Sequence, residues 1–186
     1  DMGFAAAAQL VASGKEAPGV MADFLEQDAI YPGGASTALV DGHMQHGDLA
    51  LYLDLSPPYT FASLATQSEP VDSTYLRTAL AVHSSGVQVL ASPKRPEEGD
   101  SVSVRCIEGV LGLLRSDFDW IIWDTPRNFD DRCLFVLDQA DAILLIVAIL
   151  SPSQINEYLE IASELGMDCL VETHDEQEME IAANAG

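Results

Sequence analysis

Two runs of uninterrupted apolar residues, Trp-Ile-Ile-Trp at 120–123 and the nine residues from Ala142 to Leu150, limit what this chain can become. Neither run alternates apolar with polar side chains, so a strand built from either must hide both faces from water. That pattern belongs to a parallel sheet covered by helices on its two sides. Ala38–Asp41, Val87–Ala91, Trp120–Asp124, Ile143–Ala148 and Cys169–Thr173 all read as strands of such a sheet. Between them, apolar periodicity predicts helices over roughly 101–116, 130–139, 151–165 and 175–185. Ser151-Pro152 offers an N-cap followed by Pro at the first helical position, and Gly166 offers a C-cap. The alternation of strands and helices predicts an α/β fold, a mainly parallel sheet flanked by helices in a three-layer, Rossmann-like arrangement.

The N-terminal region reads differently. Ala-rich residues 3–14 predict a helix closing at Gly14. Residues 18–27 predict a second helix, starting at Pro18 and carrying Val20, Met21, Phe24 and Leu25 on one face. A Pro32-Gly33-Gly34 loop follows.

Charge narrows the partners. Eight Lys and Arg against 30 Asp and Glu give a formal charge of -22. Such a surface repels phosphate backbones and anionic lipid headgroups, so nucleic acid and membrane surfaces are not expected partners. The only lysines are Lys15 and Lys94, and residues 151–186 hold nine acidic side chains and no basic one. Cys106, Cys133 and Cys169 fit no zinc-knuckle or C-x-x-C spacing and are expected to be reduced thiols of a cytoplasmic protein. The N-terminus lacks the basic region of a signal peptide, and 142–150 is too short to span a bilayer, so no stable membrane insertion is expected.

Two strands end in aspartate, at Asp41 and Asp124. Ligands of open α/β sheets gather at the carboxyl ends of strands, where a carboxylate can hold Mg²⁺ beside a phosphate. Each Asp equally suits the start of a turn. The strings ALVDGHMQHGDLALYLDLSPPYTFASL, GVQVLASPKRPEEGD and DFDWIIWDTPRNFDDRCLFVLDQADAILLI occur in order. Together they resemble the TadZ/CpaE pilus-assembly proteins of the ParA/MinD group of P-loop ATPases, over about 29–148. The resemblance implies that Asp41 opens a D-x-D element and that Asp124 organises Mg²⁺ and water. It places the phosphates on a loop whose best match is YPGGAST, with Gly33, Gly34, Ser36 and Thr37 as nucleotide-binding candidates.

The chain departs from that family in three ways. YPGGAST carries no Lys, and a phosphate cradle without its cation loses much of its charge stabilisation. The loop runs straight into the next strand, without the helix whose N-terminus would hold a phosphate. His43 stands where the second Asp of D-x-D is expected. No cofactor is therefore expected, with ATP and Mg²⁺ bound only where an ancestral site survives, and hydrolysis is expected to be weak or absent.

Residues 140–186, including LGMDCLVETHDEQE, resemble indole-3-glycerol-phosphate synthase, a (β/α)₈ barrel, over about two βα units. That likeness implies a catalytic role for Glu172. However, no Lys follows position 94, and two βα units cannot close a barrel. The expected organisation is a helical segment 1–28, an α/β core 29–148 and a synthase-like βα extension 149–186 packed on the same sheet. Two family likenesses meeting at one strand suggest a composite chain, natural or engineered.

Other clusters carry less. His43 and His46, with Asp41 and Asp48, make an H-x-x-H spacing that could bind zinc or simply be a solvated loop. Arg127 could clamp a phosphate or pair with Asp130 or Asp131. The expected function is a non-enzymatic scaffold with protein partners, including a possible homodimer. The rival expectations are an ATP-binding enzyme and a lyase fragment.

Overall fold

The fold comes from a computed structural model that describes residues 4–9, 36–66, 70–126, 130–146, 151–165, 168–173 and 175–185. Among the described residues the strands are β1 (Phe4–Gln9), β2 (Thr37–Asp41), β3 (Ala81–Val82), β4 (Gln88–Leu90), β5 (Trp120–Asp124), β6 (Ala142–Ile146) and β7 (Asp168–Glu172). They form one sheet in the order β3-β4-β2-β5-β1-β6-β7. Every pairing is parallel except β3 with β4. The mainly parallel α/β sheet flanked by helices, expected from the apolar runs, is what the chain adopts.

The helices are α1 (Leu49–Tyr52), α2 (Phe61–Ala65), α3 (Ser73–Ala79), α4 (Pro96–Gly99), α5 (Val104–Asp117), α6 (Asp131–Gln139), α7 (Pro152–Leu165) and α8 (Glu176–Ala183). Several of them start at side-chain caps. Ser103 accepts the Cys106 amide at 3.1 Å, and Asp130 accepts the Arg132 and Cys133 amides at 3.1 and 3.0 Å. At α7 the Ser151 amide donates to Gln154 Oε1 at 3.0 Å, a capping pair that precedes Pro152 at the first helical position.

The core lies between sheet and helices. Ala38, Val40, Leu90, Ile121 and Trp123 pack with Cys106, Ile107, Val110 and Leu114 of α5. The alternate strand residues Leu39, Val89 and Ile122 are at most 2% exposed. Both faces of β2 and β5 are therefore dry, as their apolar runs require, and in β4 Val89 and Leu90 are buried on opposite faces while Gln88 is partly exposed. A smaller cluster of Ile155 and Ala185, with Leu159, Val171, Ile181 and Ala182, holds α7 and α8 beside β7.

The N-terminal reading is corrected by β1. Residues 4–9 are not helical; they form a strand between β5 and β6, with Phe4 opposite Trp120, Ala8 opposite Asp124 and Ala6 opposite Ala142. Alanine favours helix by only a few tenths of a kcal/mol per residue, and two backbone ladders outweigh that preference. The predicted helix 18–27 lies outside the described residues.

The synthase-like unit is part of the same sheet. β6 pairs with β1 on one side and β7 on the other, from Ala142 opposite Asp168 to Ile146 opposite Glu172.

Candidate functional site

β1, β2, β5, β6 and β7 run parallel, so their carboxyl ends share one edge. β5 sits between β2 and β1 although it follows both in the chain, which makes this edge a topological switch point. Asp41 and Asp124 are directly opposite each other there, and Ala8 flanks Asp124 on the other side. The ladder continues one step further, the Gly42 amide donating to the Asp124 carbonyl at 2.9 Å.

Loop 42–48 folds back over Asp41. Its carboxylate accepts the His43 amide at 3.1 Å and the Leu49 amide at 3.3 Å, so both oxygens are held. Two glycines permit the fold-back. A Cβ at Gly42 would strike the Asp124 carbonyl and the Trp123 indole, and one at Gly47 would strike the Ser92 side chain and the Asp41 carboxylate.

The same loop swings the His43 imidazole between the two carboxylates. Nδ1 lies 3.5 Å from Asp41 Oδ1 and 3.4 Å from Asp124 Oδ2. The Asp41 and Asp124 side chains are 0% and 7% exposed, and that of His43 is 26% exposed. These separations suit an ion pair, yet among the described residues His43 Nδ1 and Asp124 Oδ1 have no partner in hydrogen-bond geometry. Burial pushes the imidazole toward its neutral form, but the carboxylates of Asp124 and Asp41 outweigh it and raise its pKa to about 10. Burial also pushes the Asp124 carboxyl up, against the opposing pull of His43, to about 6.

The expected site residues do not all converge. Ser36 and Thr37 lie at the amino end of β2, roughly 13 Å of strand from Asp41 at about 3.3 Å per residue. A phosphate loop must follow a strand at its carboxyl end, so Ser36 and Thr37 cannot complete a cradle with Asp41 and Asp124. Ser36 instead bonds Asp119, which precedes β5. Gly33, Gly34 and Arg127 lie outside the described residues. Asp130, the suggested partner of Arg127, pairs with Arg132 at 2.7 Å. Glu172 ends β7, three strands from β5 and so on the order of 14 Å away at the usual strand spacing.

His46 is exposed and outside the cluster, so the H-x-x-H pair is not what assembles. The group that assembles is Asp41, His43 and Asp124, each offering one ligand atom within 4.8 Å of the others. His43 belongs to this site with Asp124, whereas the sequence marks it as a replaced aspartate and as half of an H-x-x-H pair with His46. The signal for this site is its place two residues after a buried strand-end Asp.

A family model for indole-3-glycerol phosphate synthase matches residues 134–186. The synthase of Chlorobium luteolum is 49% identical over 76 residues, which is 41% of this chain and 26% of that protein. The synthase of Chlorobium phaeovibrioides is 36% identical over 115 residues, 60% of this chain and 42% of that protein. The chain thus spans well under half the length of these curated relatives.

Solved structures give the other likeness. A ParA family ATPase from Chlorobium tepidum superposes with a TM-score of 0.73 at 18% identity, covering 97% of this chain and 81% of that one. The septum site-determining protein MinD of Pyrococcus horikoshii, complexed with Mg-ADP, gives 0.72 at 16% identity, covering 97% and 77%. The MinC:MinD complex of Aquifex aeolicus gives 0.66 at 13% identity, covering 97% and 73%. The chain therefore has the fold of the ParA/MinD ATPases, and its C-terminal part carries sequence similar to indole-3-glycerol phosphate synthase.

Proposed function

We propose that this chain is a catalytically impaired ParA/MinD-type scaffold, a cytoplasmic docking or localisation factor of the kind used in pilus assembly. The carrying observation is the His43 imidazole standing 3.4–3.5 Å from both strand-end carboxylates. Mg²⁺ prefers an octahedral shell of oxygens, and an imidazole nitrogen at the centre of the donor set does not suit it. Among the described residues, then, the donor set at this edge does not fit Mg-ATP.

Further support comes from Ser36 and Thr37 lying at the opposite edge and from a formal charge of -22, which opposes a triphosphate at long range. Protein partners, a second copy of this chain among them, are the remaining class. The synthase-like C-terminal unit makes the chain a composite, natural or engineered. Its two βα units lie on an open sheet rather than a closed barrel, and residues 95–186 hold no Lys, so the synthase reaction is not the proposed function.

One observation favours a rival, an ATPase. Asp41 and Asp124 sit together at the switch point of the sheet, where nucleotides bind in folds of this kind. Phosphate release from Mg-ATP separates the two readings. The scaffold reading expects no turnover above buffer. Turnover that disappears in Asp124→Asn overturns it.

A further inference from the structure

The geometry points to Asp41, His43 and Asp124 as a site for a divalent first-row transition-metal ion of borderline softness, with zinc as its representative probe. The inference rests on the reading above, in which the donor set has lost its fit to Mg²⁺, and it names what that set suits instead.

Spacing is the first support. Zinc bonds nitrogen and oxygen ligands at about 2.0–2.2 Å in tetrahedral geometry, which sets neighbouring ligand atoms roughly 3.4 Å apart. Nδ1 of His43 lies 3.5 Å from an Asp41 oxygen and 3.4 Å from an Asp124 oxygen. All three ligand atoms lie within 4.8 Å of one another, so any closure binding requires is at most on the order of 1 Å.

The second support is a pair of polar atoms left over. Among the described residues Asp124 Oδ1 and His43 Nδ1 are buried without a partner in hydrogen-bond geometry, and Nδ1 has only the two ion pairs at 3.4–3.5 Å. Buried polar atoms are rarely left so, and a cation held between them is one way to satisfy them. The imidazole and the two carboxylates stand at ion-pair distance, 3.4–3.5 Å, which leaves the Asp124 Oδ1 lone pairs free for a bound cation.

Donor chemistry chooses the ion. One imidazole and two carboxylates match zinc and its first-row neighbours better than Mg²⁺ or Ca²⁺, which seek oxygen alone. The Asp41 carboxylate is already oriented by the His43 and Leu49 amides, the outer support that ligating carboxylates need. Three protein ligands leave a fourth position open. A bound ion would tie the ends of β2 and β5 to loop 42–48.

Thermal unfolding of the full chain in a non-chelating buffer tests this, with Zn²⁺, Mn²⁺ and Mg²⁺ added separately and without nucleotide. Zinc at a hundredfold excess over its dissociation constant should raise the midpoint by on the order of 5 °C, and Mg²⁺ at the same concentration should leave it unchanged. His43→Ala and His43→Gln, checked for folding by circular dichroism, should lose the zinc response, and His46→Ala should keep it. The inference is overturned by an absent zinc response, by an equal response to Mg²⁺, or by a zinc response that survives both His43 variants. Stabilisation by Mg-ATP would overturn the scaffold reading instead, so the two failures are distinguishable.

Discussion

Ser36 and Asp119 bond each other reciprocally across the amino ends of β2 and β5. The Ser36 hydroxyl donates to Asp119 Oδ2 at 2.8 Å and accepts the Asp119 amide at 3.0 Å. The Ser36 amide, donating to Asp119 Oδ2 at 2.8 Å, holds the Asp119 carboxyl below the usual range, with the hydroxyl adding to the effect. Such a pair stabilises the fold above the unfolded pKa and is lost as pH falls through the lower folded value. Asp119→Ala should lower the thermal midpoint at pH 7 by on the order of a few °C and shrink that difference under acid. The zinc response should be unaffected, because the pair sits at the other edge of the sheet. Loss of the zinc response would contradict the assigned geometry.

Gly42 is where close packing leaves no room. Gly42→Ala drives a methyl into the Asp124 carbonyl and the Trp123 indole. Denaturant unfolding should show a loss of about 1–3 kcal/mol, as overpacking in a tight site costs. An unchanged midpoint would show that loop 42–48 does not press on β5 as described.

The pH response of the ion-free protein has a defined sign. His43 is raised from 6.5 to about 10, so its contribution is full below about pH 6.5 and fades as pH rises toward 10. The raised Asp124, at about 6, works in the same direction, because forming its carboxylate in the fold costs stability from about pH 4 upward. Wild type should therefore lose more stability than His43→Ala between pH 7 and 10, measured by urea midpoints. Parallel curves would contradict this.

The thiols should differ in reactivity. Cys133 is 3% exposed, and burial, with the nearby Asp130 charge, pushes its thiol up to about 11. Cys106 is equally buried, whereas Cys169 is half-buried. Alkylation at pH 8 followed by mass spectrometry should label Cys169 first and reach Cys106 and Cys133 only on unfolding. Early labelling of Cys133 would contradict its place on the buried face of α6.

The C-terminal unit should melt with the rest. β6 is bonded to both β1 and β7, so it cannot detach without breaking the central ladder. Calorimetry should show one transition, and Ile155→Ala, at a fully buried site, should lower stability by about 2–5 kcal/mol. Two resolved transitions would separate the synthase-like unit from the sheet.

What the sequence reveals and conceals has physical causes. Trp120–Asp124 is readable to the residue because a strand dry on both faces is apolar throughout. Phe4–Gln9 is not readable, because four alanines favour helix locally and only β5 and β6 make them a strand. Ala81–Val82 and the helices at Leu49–Tyr52 and Phe61–Ala65 are too short to show a period. At the site, Asp41 and Asp124 are legible as strand ends. Ser36 and Thr37 looked like neighbours of Asp41 in sequence, but strand direction carries them to the far edge. His43 is legible as a possible ligand beside His46, but its place between Asp41 and Asp124 is not, because only the fold-back allowed by Gly42 and Gly47 brings it there.

The central claim is that His43 has taken the centre of what would be a Mg-nucleotide site. Thermal unfolding of wild type with and without millimolar Mg-ATP tests it most directly, since any ligand selective for the folded state must raise the midpoint. The account predicts no shift. A concentration-dependent rise that vanishes in Asp124→Asn would contradict it.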